Sequence, residues 1–340
     1  EFGFVPRVLN DVSKRSQKTL LLGREYASPF GIAPMGVSSL TAYRGDVVLA
    51  ESAATAQIPG IMSGSSLTRM EEVAQAAPQS WFQAYLPPTA EQITSLIDRV
   101  AKAGFKTLVV TVDSAVRGNV ENYKRNGFTS PLQPDLRLLW EGITHPRWTL
   151  GTLLKTILRS GMPHFENTDT DKRTAIIARS VVRDFSGRAH LDWSAIMRIR
   201  TQWQGHLVLK GILHPADASK AQTLGINGII VSNHGGRQLD GAVSPLRMLP
   251  IIRQAVGDMP VMVDSGFRRG TDVLKALALG ADFVFIGRPF NYAAAVASYA
   301  GVAHAVALLA LEIDTDMGLL GINSLRELGP DRLMRLSASN

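Results

Sequence analysis

The 340-residue chain contains no cysteine. That excludes disulfides, thiolate–zinc sites, cysteine-ligated iron–sulfur clusters and cysteine nucleophiles together. Aromatic residues are sparse at 7%, and charged residues at 19% stand beside 45% hydrophobic ones. A disordered or fibrous chain is therefore excluded, and there is enough apolar material for a large core. No uninterrupted apolar run reaches the roughly 18 residues of a membrane span. The longest, Tyr292 to Leu311, is broken by Ser298, Gly301 and His304. Also missing are a polybasic block, zinc-finger spacing, an RNP-like aromatic motif, a Walker motif and a Gly-x-Gly-x-x-Gly after a strand. The chain opens Glu1-Phe2-Gly3, with neither a methionine nor a signal pattern, so a natural N-terminal segment is expected to be missing and targeting is not legible.

What is present is a modest excess of base. Thirty-six Lys and Arg against twenty-nine Asp and Glu give a net charge of +7, which suits phosphates, carboxylates or acidic lipids. The basic residues are scattered in pairs such as Arg268-Arg269, so no nucleic-acid partner is expected.

Eight short runs rich in Val and Ile recur: Phe30–Val37, Pro59–Gly64, Ser80–Leu86, Thr107–Asp113, His206–Gly211, Gly228–Asn233, Pro260–Gly266 and Phe283–Pro289. Helical periodicities such as Ala90–Ala103, Pro215–Leu224 and Gly270–Leu279 lie between them, each followed by a glycine (Gly104, Gly225, Gly280). Strand and helix alternating eight times predicts an α/β fold, a closed (β/α)8 barrel, with an open doubly wound sheet as the alternative. The fourth connection is out of scale, 92 residues from Ser114 to Gly205. It holds Trp140, Trp148 and an amphipathic stretch, Thr149–Arg159. The expectation is one domain over 1–340, with 114–205 as an extended loop or lid.

In a barrel the chemistry sits where strands end, and these ends are polar: Ser63; Gln83 and Tyr85; Thr111 and Asp113; Lys210; Ser232, Asn233 and His234; Asp264 and Ser265; Gly287 and Arg288. A purely structural barrel does not need a Lys, a His, two Asp and an Arg on one rim, since each buried charge requires a partner. Asp264-Ser265-Gly266-Phe267-Arg268-Arg269-Gly270 and Gly287-Arg288 combine close backbone approach with arginines on neighbouring strands. That pattern describes a phosphate cradle, and a flavin mononucleotide fits it better than a dinucleotide. No metal is expected.

Ser232-Asn233-His234-Gly235-Gly236-Arg237-Gln238-Leu239-Asp240 resembles the signature of the FMN-dependent 2-hydroxy-acid oxidase and dehydrogenase family. The likeness extends to Ile32-Ala33-Pro34, Phe82-Gln83-Ala84-Tyr85, Thr111-Val112-Asp113 and Leu209-Lys210-Gly211. His145-Pro146-Arg147-Trp148 and Gly161 to Asn167 are most similar to the bacterial L-lactate dehydrogenase branch. The resemblance implies oxidation of an L-lactate- or mandelate-like acid to its keto acid, with electrons passing through flavin N5 to a quinone, a cytochrome or oxygen. His234 is then the base, oriented by Asp113. Arg237 and Tyr85 hold the substrate, and Lys210 offsets charge on the reduced ring. Ser63, Gln83, Thr111 and Ser232 meet the cofactor, and Ala33, Pro34 and Gly36 lie along its face. Asp264, Gly266, Arg268, Gly287 and Arg288 complete the cofactor set.

Two departures qualify that expectation. The family's second carboxylate-binding arginine, in a Gly-Asn-Arg-Glu-like stretch, is replaced here by Val120 within Gly118-Asn119-Val120-Glu121. A non-standard substrate is therefore the alternative reading, and a flavin protein without turnover is disfavoured by the poised base. Second, the sequence starts downstream of the family's N-terminal segment, so the pocket-closing tyrosine that the resemblance implies is not assigned. The resemblance further implies a homotetramer in the cytoplasm; the basic charge, Trp140 and Trp148, and the amphipathic Thr149–Arg159 suggest a peripheral contact on the inner face of the membrane.

Overall fold

The computed structural model describes residues 1–128, 132–167, 174–177 and 188–336. Eight parallel strands, β1 (Phe30–Ile32), β2 (Ile61–Ser63), β3 (Trp81–Ala84), β4 (Thr107–Thr111), β5 (His206–Ile212), β6 (Gly228–Val231), β7 (Val261–Val263) and β8 (Phe283–Ile286), form one sheet in sequential order. β1 also pairs with β8, and on its other edge the Ile32 N–H donates to the Pro59 carbonyl at 2.9 Å, bridging to Gly60 at the start of β2. The two edges of the sheet thus meet, which rejects the open doubly wound alternative. Gly31 makes the seam possible: a Cβ there would lie 2.5 Å from the Pro59 carbonyl oxygen.

Strands buried on both faces read as near-continuous apolar runs, and the pleat sorts them. Ile61, Trp81, Val109, Val208, Ile230 and Met262 point into the barrel with Phe283 and Phe285, while Leu108, Val110, Leu207, Leu209, Ile229 and Val231 pack outward under the helices. The hairpin of Thr19–Leu21 and Arg24–Tyr26 closes the N-terminal mouth, with Tyr26 edge-on to Phe283 at 5.8 Å.

The helices following the strands are α1 (Gly45–Thr55), α2 (Met70–Ala76), α3 (Ala90–Lys102), α4 (Trp193–Gln202), α5 (Pro215–Thr223), α6 (Pro245–Val256), α7 (Gly270–Ala278) and α8 (Arg288–Leu320). In α3, Thr89 and Gln92 form a capping box, and the buried stripe Ile93, Leu96, Ile97, Val100 has helical spacing. α8 is long and apolar enough, by length and composition alone, to cross a membrane, which the interrupted run in the sequence did not suggest. Its helical geometry breaks at Ala297 and Ser298, however, and Phe290, Ala294, Val302, Val306 and Ile313 are buried on the barrel.

The connection between β4 and α4 is richer in helix than the expected loop. Its described residues include helices Glu121–Arg125, Leu136–Thr144 and Pro146–Trp148, a π-helical turn Thr149–Leu154 leading into Lys155–Ser160, and a ladder of His164–Phe165 with Thr174–Ala175. Asn167 pins it to the barrel top: its amide donates to the Ser66 and Thr68 carbonyls at 3.3 and 2.7 Å, and its side-chain oxygen accepts from the Met70 N–H at 2.9 Å.

Candidate active site

The floor of the site follows from strand parity. Two residues beyond each inward-pointing Ile61, Trp81, Val109, Val208, Ile230 and Met262 stand Ser63, Gln83, Thr111, Lys210, Ser232 and Asp264. Side chains two apart share a face, so the apolar filling of the barrel ends in a polar layer, and all six of these residues are buried. Ser63 donates to Gln83 Oε1 at 3.1 Å. Lys210 Nζ lies 3.0 Å from both Ser232 Oγ and Asp264 Oδ2. Burial opposes the Lys210 charge, but the carboxylates of Asp264 and Asp113 outweigh it and hold the ammonium above the usual lysine range.

Above the floor stands the dyad. His234 Nδ1 is 2.9 and 3.1 Å from the Asp113 carboxylate oxygens, and Nε2 is 3.4 Å from the Tyr85 hydroxyl. Room for Asp113 comes from a bulge in β5, where the register shifts between Lys210 and Ile212. Gly211 there has φ +107°, and a Cβ would sit 2.6 Å from that of Asp113. His234 itself is left-handed (φ 57°), as are Ser265 (83°) and Val37 (55°), conformations that cost a side-chain-bearing residue about 1–3 kcal/mol and cluster at functional sites. Ser265 braces the turn, accepting from the Gly235 N–H and donating to Asp264 Oδ1, both at 2.9 Å.

A cavity of about 790 Å³ brings these groups together. Its lining includes Ala33, Pro34, Gly36, Gln83, Tyr85, Thr111, Lys210, His234 and Arg237 together with Asp264, Gly266, Arg268, Gly287 and Arg288. Ser63 and Ser232 join it through their bonds to Gln83 and Lys210. Gln83 Nε2 and Thr111 Oγ1 are buried without a hydrogen-bond partner among the described residues. Two orphaned polar atoms beside a buried ammonium are costly unless a polar ligand meets them. A flavin's heteroatom edge, with its phosphate at the arginines, fits that requirement. Missed by the sequence reading were Trp148, Leu132 and Leu138, which come from the long connection to wall the same cavity. No periodicity signals a contact made across so long a loop.

A smaller cavity of about 170 Å³ adjoins His234, lined by Tyr85, Val116, Arg117, Val120, Tyr123, Phe128 and Arg237 among others. The Arg237 guanidinium stacks 4.9 Å from the Tyr123 ring centre, and Val120 contributes a hydrocarbon side chain to the lining that also holds Arg117. Beneath, Asp46 accepts from Ser39 Oγ (2.7 Å) and Thr68 Oγ1 (3.1 Å), joining the loops after β1 and β2. Burial pushes its carboxyl above the usual range, opposed by the hydroxyls of Ser66, Ser39 and Thr68.

A closed barrel with a histidine–carboxylate pair, a buried lysine and two arginines at its C-terminal rim is the arrangement of a flavin-dependent oxidoreductase. The chain belongs to the FMN-dependent dehydrogenase family, whose pattern matches residues 1–335. It is 39% identical over 333 residues to an L-lactate dehydrogenase of Ectopseudomonas mendocina, covering 97% of this chain and 86% of the relative. It is 35% identical over 341 residues to the (S)-mandelate dehydrogenase of Pseudomonas putida, covering 100% and 85%. The crystal structure of a monotopic membrane protein, (S)-mandelate dehydrogenase, superimposes with TM-score 0.87 at 34% identity, covering 98% of this chain and 88% of that one.

Proposed function

We propose that the protein oxidises an L-2-hydroxy acid of the lactate or mandelate kind to the 2-keto acid. The observation that carries this reading is the Asp113–His234–Tyr85 chain of contacts, set above a floor in which Gln83 Nε2 and Thr111 Oγ1 have no hydrogen-bond partner among the described residues. Bound FMN supplies the two-electron acceptor. Because Asp113 occupies Nδ1, the His234 Nε2 is the nitrogen that takes a substrate proton, and the carboxylate stabilises the resulting imidazolium. Arg237 grips the substrate carboxylate and Tyr85 donates to it or to the hydroxyl. Lys210, held by Asp264 and Ser232, places a fixed positive charge where negative charge develops. Ser63, Gln83 and Thr111 serve the ring's polar edge, the backbone at Ala33, Pro34 and Gly36 its face, and Gly266, Arg268, Gly287 and Arg288 the phosphate.

Val120 favours a second reading for the substrate alone: a larger or less acidic hydroxy compound, since a hydrocarbon side chain stands where the resemblance expects a carboxylate-binding arginine. Trp193–Gln202, at the end of the expected lid 114–205, packs on the barrel as α4, whereas the described part of the connection ahead of it, residues 114–128, 132–167 and 174–177, acts as a lid over the barrel mouth. Its helix Leu136–Thr144 exposes Leu136, Leu139, Trp140 and Ile143, and Leu150, Leu154 and Leu158 continue the apolar face among Arg137, Arg147, Lys155 and Arg159. Such a face supports a peripheral contact with the inner surface of the cytoplasmic membrane, in line with the monotopic relative. A homotetramer is part of the same reading, and the electron acceptor is a quinone, a cytochrome or oxygen. Anaerobic mixing of the yellow holoenzyme with L-lactate, L-mandelate and glycolate tests it: bleaching by one supports hydroxy-acid oxidation, and bleaching by none overturns it.

A further inference from the structure

A guanidinium recognises a carboxylate with its edge, where the N–H groups point, and leaves its two flat faces free. Among the described residues the Arg237 guanidinium donates no hydrogen bond and joins no ion pair; what it meets is the Tyr123 ring, 4.9 Å to the centre. An aromatic ring against one face fixes the plane of the cation without using its donors, whereas a carboxylate partner would occupy them. The stack joins two loops. Gly118, in the loop after β4, lies so close to the loop after β6 that a Cβ there would stand 2.6 Å from the Arg237 carbonyl oxygen and 2.7 Å from Gln238 Oε1. The chain then turns at Val120, whose carbonyl accepts from the Tyr123 N–H at 3.0 Å, into the helix Glu121–Arg125. Past that helix Gly127, left-handed with φ 64°, brings Phe128 back to Tyr123. The Phe128 N–H donates to the Tyr123 carbonyl at 2.8 Å, and the two rings meet edge-on at 5.3 Å. Tyr123, Phe128 and Arg237 line both the large and the small cavity.

We propose that Tyr123 is a positioning residue for the substrate carboxylate, its ring holding the Arg237 guanidinium by a cation–π stack that keeps the N–H edge free for the acid. The assignment rests on the reading of Arg237 as the carboxylate grip. Val120 and Tyr123 come from one turn: a hydrocarbon stands where the resemblance expects a cation, and a ring three residues on steadies the cation that remains. Arg237 is exposed, and an arginine already held in one plane loses less freedom on binding than one that swings in solvent. That saving offsets part of the contact that Val120 does not make. A bound acid also takes water away from the stack, where a cation–π contact is worth roughly five- to thirtyfold in affinity.

The test uses the holoenzyme with Tyr123→Phe, Tyr123→Leu and three forms carrying a mono-, di- or trifluorinated phenylalanine at the same position. Fluorine drains the ring face while barely changing its size, so a cation–π contact weakens along the series and simple packing does not. Pyruvate and benzoylformate, the keto acids of lactate and mandelate, are titrated into the oxidised protein and the flavin absorbance followed. Affinity is expected to stay within about twofold of the parent in Tyr123→Phe and to fall stepwise to at least about fivefold in the trifluorinated and Leu forms. In anaerobic reduction by L-lactate or L-mandelate, the half-saturating concentration should rise in parallel while the limiting rate of bleaching changes less than about twofold. A flat fluorine series, or a loss confined to the limiting rate, overturns the proposal. Should neither acid engage the parent, the functional reading fails on its own account, while NMR still decides the stack: the Arg237 Nε–H resonance should move in Tyr123→Leu as the ring current is lost, and an unmoved resonance overturns it.

Discussion

Asp113 and His234 come from strands separated by β5, yet both carboxylate oxygens of Asp113 lie within 3.1 Å of the His234 Nδ1. The imidazole is thereby fixed with Nε2 toward Tyr85 and the cavity. Replacing His234 by Ala should lower the rate of flavin bleaching by about 10²–10⁴-fold, the usual worth of a general base, with the protein still yellow. Stopped-flow absorbance measures both; bleaching at the parental rate would remove His234 from the mechanism.

The Lys210–Asp264 pair is buried, so removing one partner strands the other. Lys210→Met should cost about 3–5 kcal/mol of stability, and Lys210→Met with Asp264→Leu less than the single change. Urea unfolding of both variants checks this. The pH sense follows from the raised Lys210 pKa: its stabilising share is present below the unfolded lysine value of about 10.4 and is lost as pH rises through the still higher folded value. The parent should therefore weaken above about pH 10 more steeply than the double variant.

Asp46 runs to a different window. Its folded pKa is raised by burial, so the native state holds a proton that the unfolded chain releases. Its contribution is present below the unfolded value of about 3.9 and disappears as pH climbs through the folded value. The stability difference between the parent and Asp46→Asn should shift in favour of the variant as pH rises from about 4 to 7. A difference that stays flat across those pH values would show that the carboxyl titrates normally.

Val120 offers a gain-of-function test. Val120→Arg adds a cation to the wall that already holds Arg237, and a hydrogen bond to a charged group is worth about 1.5–3 kcal/mol. KM for a small hydroxy acid should fall roughly 10–100-fold. An unchanged KM would favour the larger or less acidic substrate.

On the outer face of the lid, Leu139→Asp with Trp140→Asp should abolish co-sedimentation with anionic vesicles and leave reduction by the hydroxy acid in solution intact. Equal sedimentation of parent and variant would remove this face from any membrane contact.

Much of this architecture was legible because parallel strands impose parity. The alternation that puts Val109 and Val208 inside also puts Thr111 and Lys210 on the rim, so the polar strand ends picked out in the sequence fall on the face that fills the barrel. The strand ends were overestimated: Phe30–Val37 contracts to Phe30–Ile32, since Pro34 and the left-handed Val37 belong to the loop along the cavity. Apolarity alone does not distinguish a strand from an apolar loop that lines a site. Trp148 was conspicuous as a residue but silent as a neighbour of Leu40, because a contact spanning 108 positions leaves no periodic trace. The bulge at Gly211 was equally hidden, being a response to the Asp113 side chain across the ladder.

The left-handed backbone at His234 and Ser265 has a consequence for how this protein would respond to selection for heat resistance. Glycine adopts such angles freely, so glycine at either position relieves backbone strain while deleting the base or the brace of its turn. A library sorted only for survival at high temperature should collect those replacements early and lose turnover with them. Here robustness and chemistry compete for the same two residues.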